Sequence, residues 1–303
     1  METKQFNSES KENNEKISSV IELHLFRHSK KESVGGKQDE RIKLTTEGRN
    51  LAATHAQDKD IKYSIAFGSS RDRTQETAAL VMGGKLEKIN GEEELEELKE
   101  KLNAGFSFGN KGNKIGIDQR LNFNLDEKTE FGKKAYEAFA NGVFLKFCVE
   151  ESDDLAKLLK DNTTTTYSRA AGGIAEIVKK YLEIAPRWDA LAQEQKDEEK
   201  NKNNNTLKRF FCTHQSIGEC FLAKVIEKTK SVAERDAFVT ALGNQGFDFV
   251  EGFNIRIETL ADKTQRLHIS FKKEKEGRVI FEYNQGMPQE IIESLIIKKT
   301  ETN

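Results

Sequence analysis

Val20-Ile21-Glu22-Leu23-His24-Leu25-Phe26 is an apolar run that breaks off abruptly into Arg27-His28-Ser29. Two later runs have the same shape. Tyr63 to Phe67 (YSIAF) leads into Ser69-Ser70-Arg71-Asp72-Arg73 and a helical pattern. Arg209 to Thr213 (RFFCT) leads into His214-Gln215-Ser216, again with a helix after it. Short apolar runs alternating with helical patterns predict buried strands of a mainly parallel sheet covered by helices. In such a sheet, ligand sites lie outside the C-terminal ends of the strands, where helix N-termini also point. If the three strands are neighbours, Arg27, His28, Arg73 and His214 converge in one pocket. Two guanidiniums, two imidazoles and helix N-termini suit a doubly charged anion, with phosphate the obvious candidate. Any one segment alone reads as a polar strand end or an N-cap with surface arginines. The recurrence at three strand ends puts the functional reading ahead.

Outward from these runs, one helix follows Thr45 and another spans Asp72 to Val81, ending at Gly83-Gly84. The clearest helix begins near Ser168, read as its N-cap. It carries Ile174, Ile177, Val178, Tyr181 and Leu182 on one face and is expected to stop before Pro186. Asn254 to Leu260, Arg266 to Lys272 and Val279 to Tyr283 read as antiparallel strands, followed by a helix near Pro288 to Ile297. Residues 1 to 18 read as a disordered tail, and Glu194 to Lys208 as a polar insertion between ordered elements.

The chain has 303 residues, 49 Lys+Arg against 51 Asp+Glu and 36% hydrophobic residues, enough for a sizeable core under a heavily solvated surface. A net charge of -2 argues against a general nucleic-acid or anionic-membrane binder. No apolar run approaches the roughly 18 residues of a membrane span, and Met1 to Ser19 lacks a signal-peptide core. Cys148, Cys212 and Cys220 form neither a disulfide framework nor a CxxC metal site, so the expected setting is a reducing cytoplasm.

Four motifs together resemble the histidine phosphatase superfamily, the phosphoglycerate-mutase-like group. The family's Arg-His-Gly opening is matched by Leu25-Phe26-Arg27-His28-Ser29, and its LTxxGxxxA element by Leu44 to Ala52. Its SSPxxRxxxTA element is matched by Ser69 to Ala78, with Ser70 in the proline place, and its late THG by Thr213-His214-Gln215. The match covers about residues 20 to 230. The resemblance implies a three-layer α/β/α domain over 19–303 with a lid or insertion at about 90–165. An appended antiparallel C-terminal segment, at about 250–285, would complete it.

The resemblance also implies a mechanism that needs no metal and no cofactor. Neutral His28 attacks phosphorus, giving a phosphohistidine that water hydrolyses. Arg27, Arg73 and His214 hold the equatorial oxygens, with Ser29 and Gln215 as further substrate-binding positions. Ser29 and Gln215 stand where glycine is usual, and Gln215 also replaces the aspartate of the acid-phosphatase branch. The mutase run after the first motif is absent, the chain reading Lys30-Lys31-Glu32-Ser33, which favours a phosphatase. His24, His55 and His268 read as structural.

The general acid is open. Arg120 to Glu127 resembles the family's RLxE segment but has Asn122 and Phe123 where Glu is expected, which leaves Asp126 or Glu127, with Glu127 first. Glu219 and the Glu92 to Glu97 cluster follow, the latter reading most simply as a solvated helix face; Arg169 reads as a surface arginine. The expected function is hydrolysis of a small phosphorylated metabolite. A phosphohistidine protein phosphatase and an inactive phosphate-binding scaffold are the alternatives. Neither the substrate's identity nor the oligomeric state can be read from these residues.

Overall fold

The computed structural model describes residues 16–33, 39–58, 65–83, 94–104, 115–196 and 205–297. In chain order these form β1 (Ile17–Arg27), α1 (Thr46–Asp58), β2 (Ile65–Gly68), α2 (Asp72–Gly83), α3 (Leu95–Ala104), β3 (Ile115–Ile117), α4 (Glu130–Ala140), α5 (Phe144–Glu150) and α6 (Ser152–Leu158). They continue with α7 (Tyr167–Lys196), β4 (Thr206–Thr213), α8 (Ile217–Thr229), α9 (Val232–Ala241), β5 (Gly252–Leu260), β6 (Gln265–Lys275), β7 (Arg278–Met287) and α10 (Gln289–Leu295). Short 3-10 turns at Asp39–Arg41 and Gln119–Leu121 complete the set.

The strands make one sheet in the order β3-β2-β4-β1-β5-β6-β7. β3, β2, β4 and β1 are parallel, with Arg27 beside Thr213 and Phe67 beside Phe211. The ends of β2, β4 and β1 therefore open on one edge of the sheet. The other half is antiparallel, so the expectation of a mainly parallel sheet is corrected to an evenly mixed one. The antiparallel C-terminal extension is built onto this same sheet: β5 pairs along β1 from Ile17 to Phe26.

Side-chain alternation along β1 and β4 builds an α/β/α sandwich. Phe26, Phe210 and Cys212 face α1, α2 and α3 through Ala52, Ala78, Ala79 and Leu98. Ile21, Leu23, Leu25 and Phe211 face the opposite layer, where Ile174, Val178, Phe221 and Leu222 of α7 and α8 close the larger core.

Several local expectations change. Ile17 and Ser18 belong to β1 rather than to a tail, while residues 1–15 lie outside the described residues. Of the polar insertion, Glu194 to Lys196 extend α7 and Thr206 to Lys208 open β4; residues 197–204 lie outside the described residues. So do Tyr63, Ser64, Gly84 and residues 85–93, which include Glu92 and Glu93.

α7 does not stop at Pro186 but runs through it to Lys196. A proline there leaves the carbonyl four residues back without its helical donor. Gln265, across on β6, supplies the replacement: its Nε2 donates to Leu182 O at 3.1 Å. Nor is Ser168 the N-cap, since α7 begins at Tyr167. The first-turn amides of Tyr167 and Ser168 donate instead to Ser152 Oγ (2.9 Å) and Asp153 Oδ1 (3.1 Å) of α6.

Candidate active site

The parallel register of β1 and β4 extends one step past the strands, where His28 N donates to Thr213 O at 2.9 Å. This places the His28 and His214 rings edge to face with centroids 5.5 Å apart. Arg73, from the first turn of α2, and Arg27 both lie close enough to act on His28 electrostatically. His28, Arg73 and His214 are no more than 5% exposed. The structure thus brings together the four residues that recur at the strand ends.

The two short motifs hold this arrangement. Ser29 N donates to Thr77 Oγ1 at 3.1 Å, and that hydroxyl donates to Arg73 O at 2.8 Å, so one threonine ties the His28 loop to the helix carrying Arg73. Ser29 Oγ donates to Gly48 O at 2.7 Å, and Thr45 caps α1 by accepting from Gly48 N at 3.0 Å. A Cβ on Gly48 would lie 2.1 Å from Lys30 O, so the loop and α1 meet only where that residue is glycine. Glu76, buried in α2, pairs with Arg49 and accepts from Leu44 N at 2.7 Å, pinning the start of α1.

His28 Nδ1 lies 2.6 Å from Ser29 O. A carbonyl oxygen can only accept, so Nδ1 carries the proton and the lone pair is at Nε2. Burial, then Arg73 and Arg27, hold the imidazole's pKa well below its ordinary value, because each disfavours an imidazolium. The ring is therefore neutral, in the tautomer that leaves Nε2 nucleophilic. His214 is likewise depressed, by burial first and then by Arg73. Its Nε2 meets Ser69 Oγ at 2.8 Å; Ser69 Oγ meets Thr74 Oγ1 at 2.8 Å, and Thr74 donates onward to Arg71 O at 2.8 Å. That chain is satisfied with His214 donating from Nε2.

Arg27 is held from behind. Its Nη1 donates to Phe247 O, and its guanidinium lies over the Phe249 ring with Cζ 4.6 Å from the centroid. Among the described residues, Arg27 Nε and Arg73 Nε are buried without a hydrogen-bond partner. The remaining hydrogen-bonding of Arg73 goes to Asp39: Nη1 donates to its carbonyl at 2.7 Å and Nη2 to Oδ2 at 3.2 Å. Arg71 Nε also donates to Asp39 Oδ2. Lys31 adds a fourth positive charge felt by both histidines.

Ser29 and Gln215 fasten the two histidine turns to the rest of the fold. The amide and hydroxyl of Ser29 are engaged by Thr77 and Gly48, and its carbonyl orients His28. Gln215 Nε2 donates to Gln245 O at 2.6 Å, fastening the His214 turn to the loop after α9.

The acid candidates separate in space. Asn122 Oδ1 accepts from Ser70 N and Oγ, at 2.9 and 3.0 Å, an amide that props the start of α2. Asp126 accepts from Lys128 N at 2.9 Å in a turn, and Glu127 is exposed, taking a hydrogen bond from Tyr136 Oη. Glu219 is fully buried, with Oε1 accepting from Phe247 N at 2.8 Å. Glu94, Glu96 and Glu97 pair with Lys43, Lys99 and Lys101 on the surface. Arg169 donates to the Thr164 and Asp161 carbonyls and serves the loop before α7. Sequence reading missed Asp39, because it belongs to no motif and no periodic pattern. Arg71 and Lys31 lie in the stretches around Arg73 and His28, and their charge there is the sequence signal that they belong to the site.

The fold and this site define an α/β protein that gathers two buried histidines, the buried Arg73 and the half-buried Arg27 at the parallel strand ends. No protein-family model and no curated protein matches the chain. Similar solved structures include a mycobacterial glucosyl-3-phosphoglycerate phosphatase (13% identity, 79% of this chain and 91% of that one, TM-score 0.43). Phosphoglycerate mutase from Bacillus anthracis str. Sterne is similar at 15% identity over 94% and 99% of the two chains, with TM-score 0.45. Bacillus stearothermophilus YhfR is similar at 15% identity over 81% and 94%, with TM-score 0.40. These structures are members of the histidine phosphatase superfamily, the family that the four motifs resemble. They are likenesses of fold at low identity, and what the pocket does is read from its own side chains.

Proposed function

We propose that this chain is a phosphomonoesterase that works without a metal, through a phosphohistidine at His28, on a small phosphorylated metabolite. The observation that carries the reading is the bond from His28 Nδ1 to Ser29 O, which leaves the lone pair at Nε2 in a pocket of positive charge. Nε2 attacks phosphorus in line, and water then hydrolyses the N–P bond. The Nε–H groups of Arg27 and Arg73, buried and without a partner among the described residues, support their use as donors to phosphoryl oxygens. His214, neutral and buried beside His28, completes the site from the end of β4.

Hydrolysis rather than phosphoryl exchange is favoured because Lys30-Lys31-Glu32-Ser33 replaces the mutase run. On this reading the partner is the phosphoester itself, in a reducing cytoplasm, and not a nucleic acid or a membrane. Among the described residues no helix is long and apolar enough to cross a membrane. The test is turnover of a panel of sugar phosphates, nucleotides and phosphopeptides by wild type and His28→Ala. Hydrolysis lost in the variant supports the reading; hydrolysis retained by it contradicts the reading.

A further inference from the structure

We propose that Asp39 is the proton donor to the leaving group, a role no residue at the family's own acid position can fill. This rests on the phosphohistidine reading above. Asp39 opens the turn Asp39–Arg41, and among the described residues it is the carboxylate hydrogen-bonded to a pocket side chain. Its Oδ2 accepts from Arg73 Nη2 at 3.2 Å and from Arg71 Nε, and its Oδ1 lies 3.1 Å from Arg73 Nη1.

Its position follows from exposure. The Asp39 side chain is 42% exposed while that of Arg73 is 6%, so the carboxylate stands at the mouth of the pocket and the guanidinium beneath it. In-line attack by His28 Nε2 sends the leaving oxygen away from the buried imidazole, toward that mouth. The other candidates are placed otherwise. Asn122 has no proton to give, Asp126 and Glu127 are held by Lys128 N and Tyr136, and Glu219 is buried against the Phe247 peptide.

In the unliganded protein Asp39 is a carboxylate, held below its ordinary pKa chiefly by Arg71 and Arg73 against the opposing effect of burial. An arriving phosphoester changes both influences. Its oxygens compete for Arg73 Nη1 and Nη2, and its negative charge repels a neighbouring carboxylate, so protonation of Asp39 becomes favourable. The second proton of a phosphate leaves with a pKa near 6, so an ester entering as the monoanion can hand that proton over. Arg71, which touches Asp39 through Nε, stays to orient it.

The chemistry then balances. The Nε2 lone pair forms the N–P bond, the P–O ester bond breaks with its electron pair on oxygen, and Asp39 gives that oxygen its proton, releasing an alcohol. In the second half Asp39 takes a proton from the attacking water. The N–P bond breaks, its pair returns to Nε2, and inorganic phosphate leaves.

The experiment compares Asp39→Asn with wild type on glycerol 2-phosphate, whose alkoxide needs a proton, and 4-nitrophenyl phosphate, whose phenolate barely does. A positioned acid contributes ~10²–10⁴-fold. The expected result is a loss of that size in kcat for the alkyl ester, with the aryl ester within about tenfold of wild type, and partial recovery in Asp39→Glu. Vanadate binding by Asp39→Asn shows that its pocket is intact. Equal losses on both esters, or a lower KM on both with kcat unchanged, would make Asp39 only a counterion of Arg71 and Arg73 and overturn the proposal. His28→Ala run alongside separates the two readings: inactivity of that variant with a non-selective Asp39→Asn leaves the phosphatase standing and removes Asp39. Hydrolysis by His28→Ala removes both.

Discussion

Glu219 and Arg27 grip the same peptide from opposite ends: Glu219 Oε1 accepts from Phe247 N at 2.8 Å, and Arg27 Nη1 donates to Phe247 O. The loop carrying this peptide passes Gly246 at φ +128°, where a Cβ would stand 2.6 Å from Glu219 Oε1. Glu219 is thus linked to the site through the peptide that aims Arg27.

Replacing Glu219 by alanine strands the buried Phe247 N–H at a cost of about 1–3 kcal/mol and frees Arg27 to wander. The expected outcome in steady-state kinetics is a KM for phosphoester raised on the order of tenfold with kcat less affected. Glu219→Gln keeps an acceptor oxygen and should stay near wild type. A kcat collapse in Glu219→Gln would instead make this carboxyl a proton donor.

His28 and His214 are neutral in the fold with pKa values well below 6.5. Below about pH 6.5 the unfolded chain binds protons at both that the folded chain refuses, so stability rises with pH across that window and falls on acidification. Each contributes up to roughly 1.4 kcal/mol per pH unit. Urea denaturation between pH 6.5 and 5 should show this slope in the wild type and about half of it in His214→Gln. A wild-type stability flat over that range would contradict the burial of two neutral imidazoles.

Gly48 touches the carbonyl of Lys30, two residues past His28. Gly48→Ala places a Cβ 2.1 Å from that oxygen, and forced overpacking of this kind costs ~1–3 kcal/mol. Thermal denaturation should register the loss, and activity should fall further than stability because the displaced segment carries the nucleophile. A variant with wild-type kcat/KM would mean that the loop accommodates the methyl group without moving His28.

If the arginines and histidines do the charge work, chelation by EDTA leaves hydrolysis unchanged, whereas vanadate, which can mimic the pentacoordinate phosphoryl group, inhibits competitively. Arg73→Lys replaces a forked donor by a point charge and should weaken vanadate binding strongly. Loss of activity on chelation, restored by a divalent ion, would replace this mechanism with metal-assisted hydrolysis.

The strands ending at Arg27, near Arg73 and at His214 were legible because buried parallel strands are short apolar runs and the chemistry sits immediately after them. Their convergence depended on β4 lying between β2 and β1, which the registers of Arg27 with Thr213 and of Phe67 with Phe211 realise. What escaped the sequence is non-local. A proline reads as a helix stop until Gln265, 83 residues away, supplies the missing donor at Leu182. Ser168 reads as a cap because Asp153 is not its sequence neighbour. β5 gives no local sign that it will pair with β1. Asp39 gives no sign at all in the sequence, since what distinguishes it is its contact with Arg71, Arg73 and Lys31.

The proposed reaction turns on a phosphoryl group carried by His28 Nε2. Rapid acid-free quenching of the protein with a ³²P-labelled phosphoester should trap label that is stable in alkali, lost in mild acid, mapped to the peptide containing His28, and absent from His28→Ala. Steady turnover with no trapped label under single-turnover conditions, or label that is stable in acid and maps elsewhere, would contradict it.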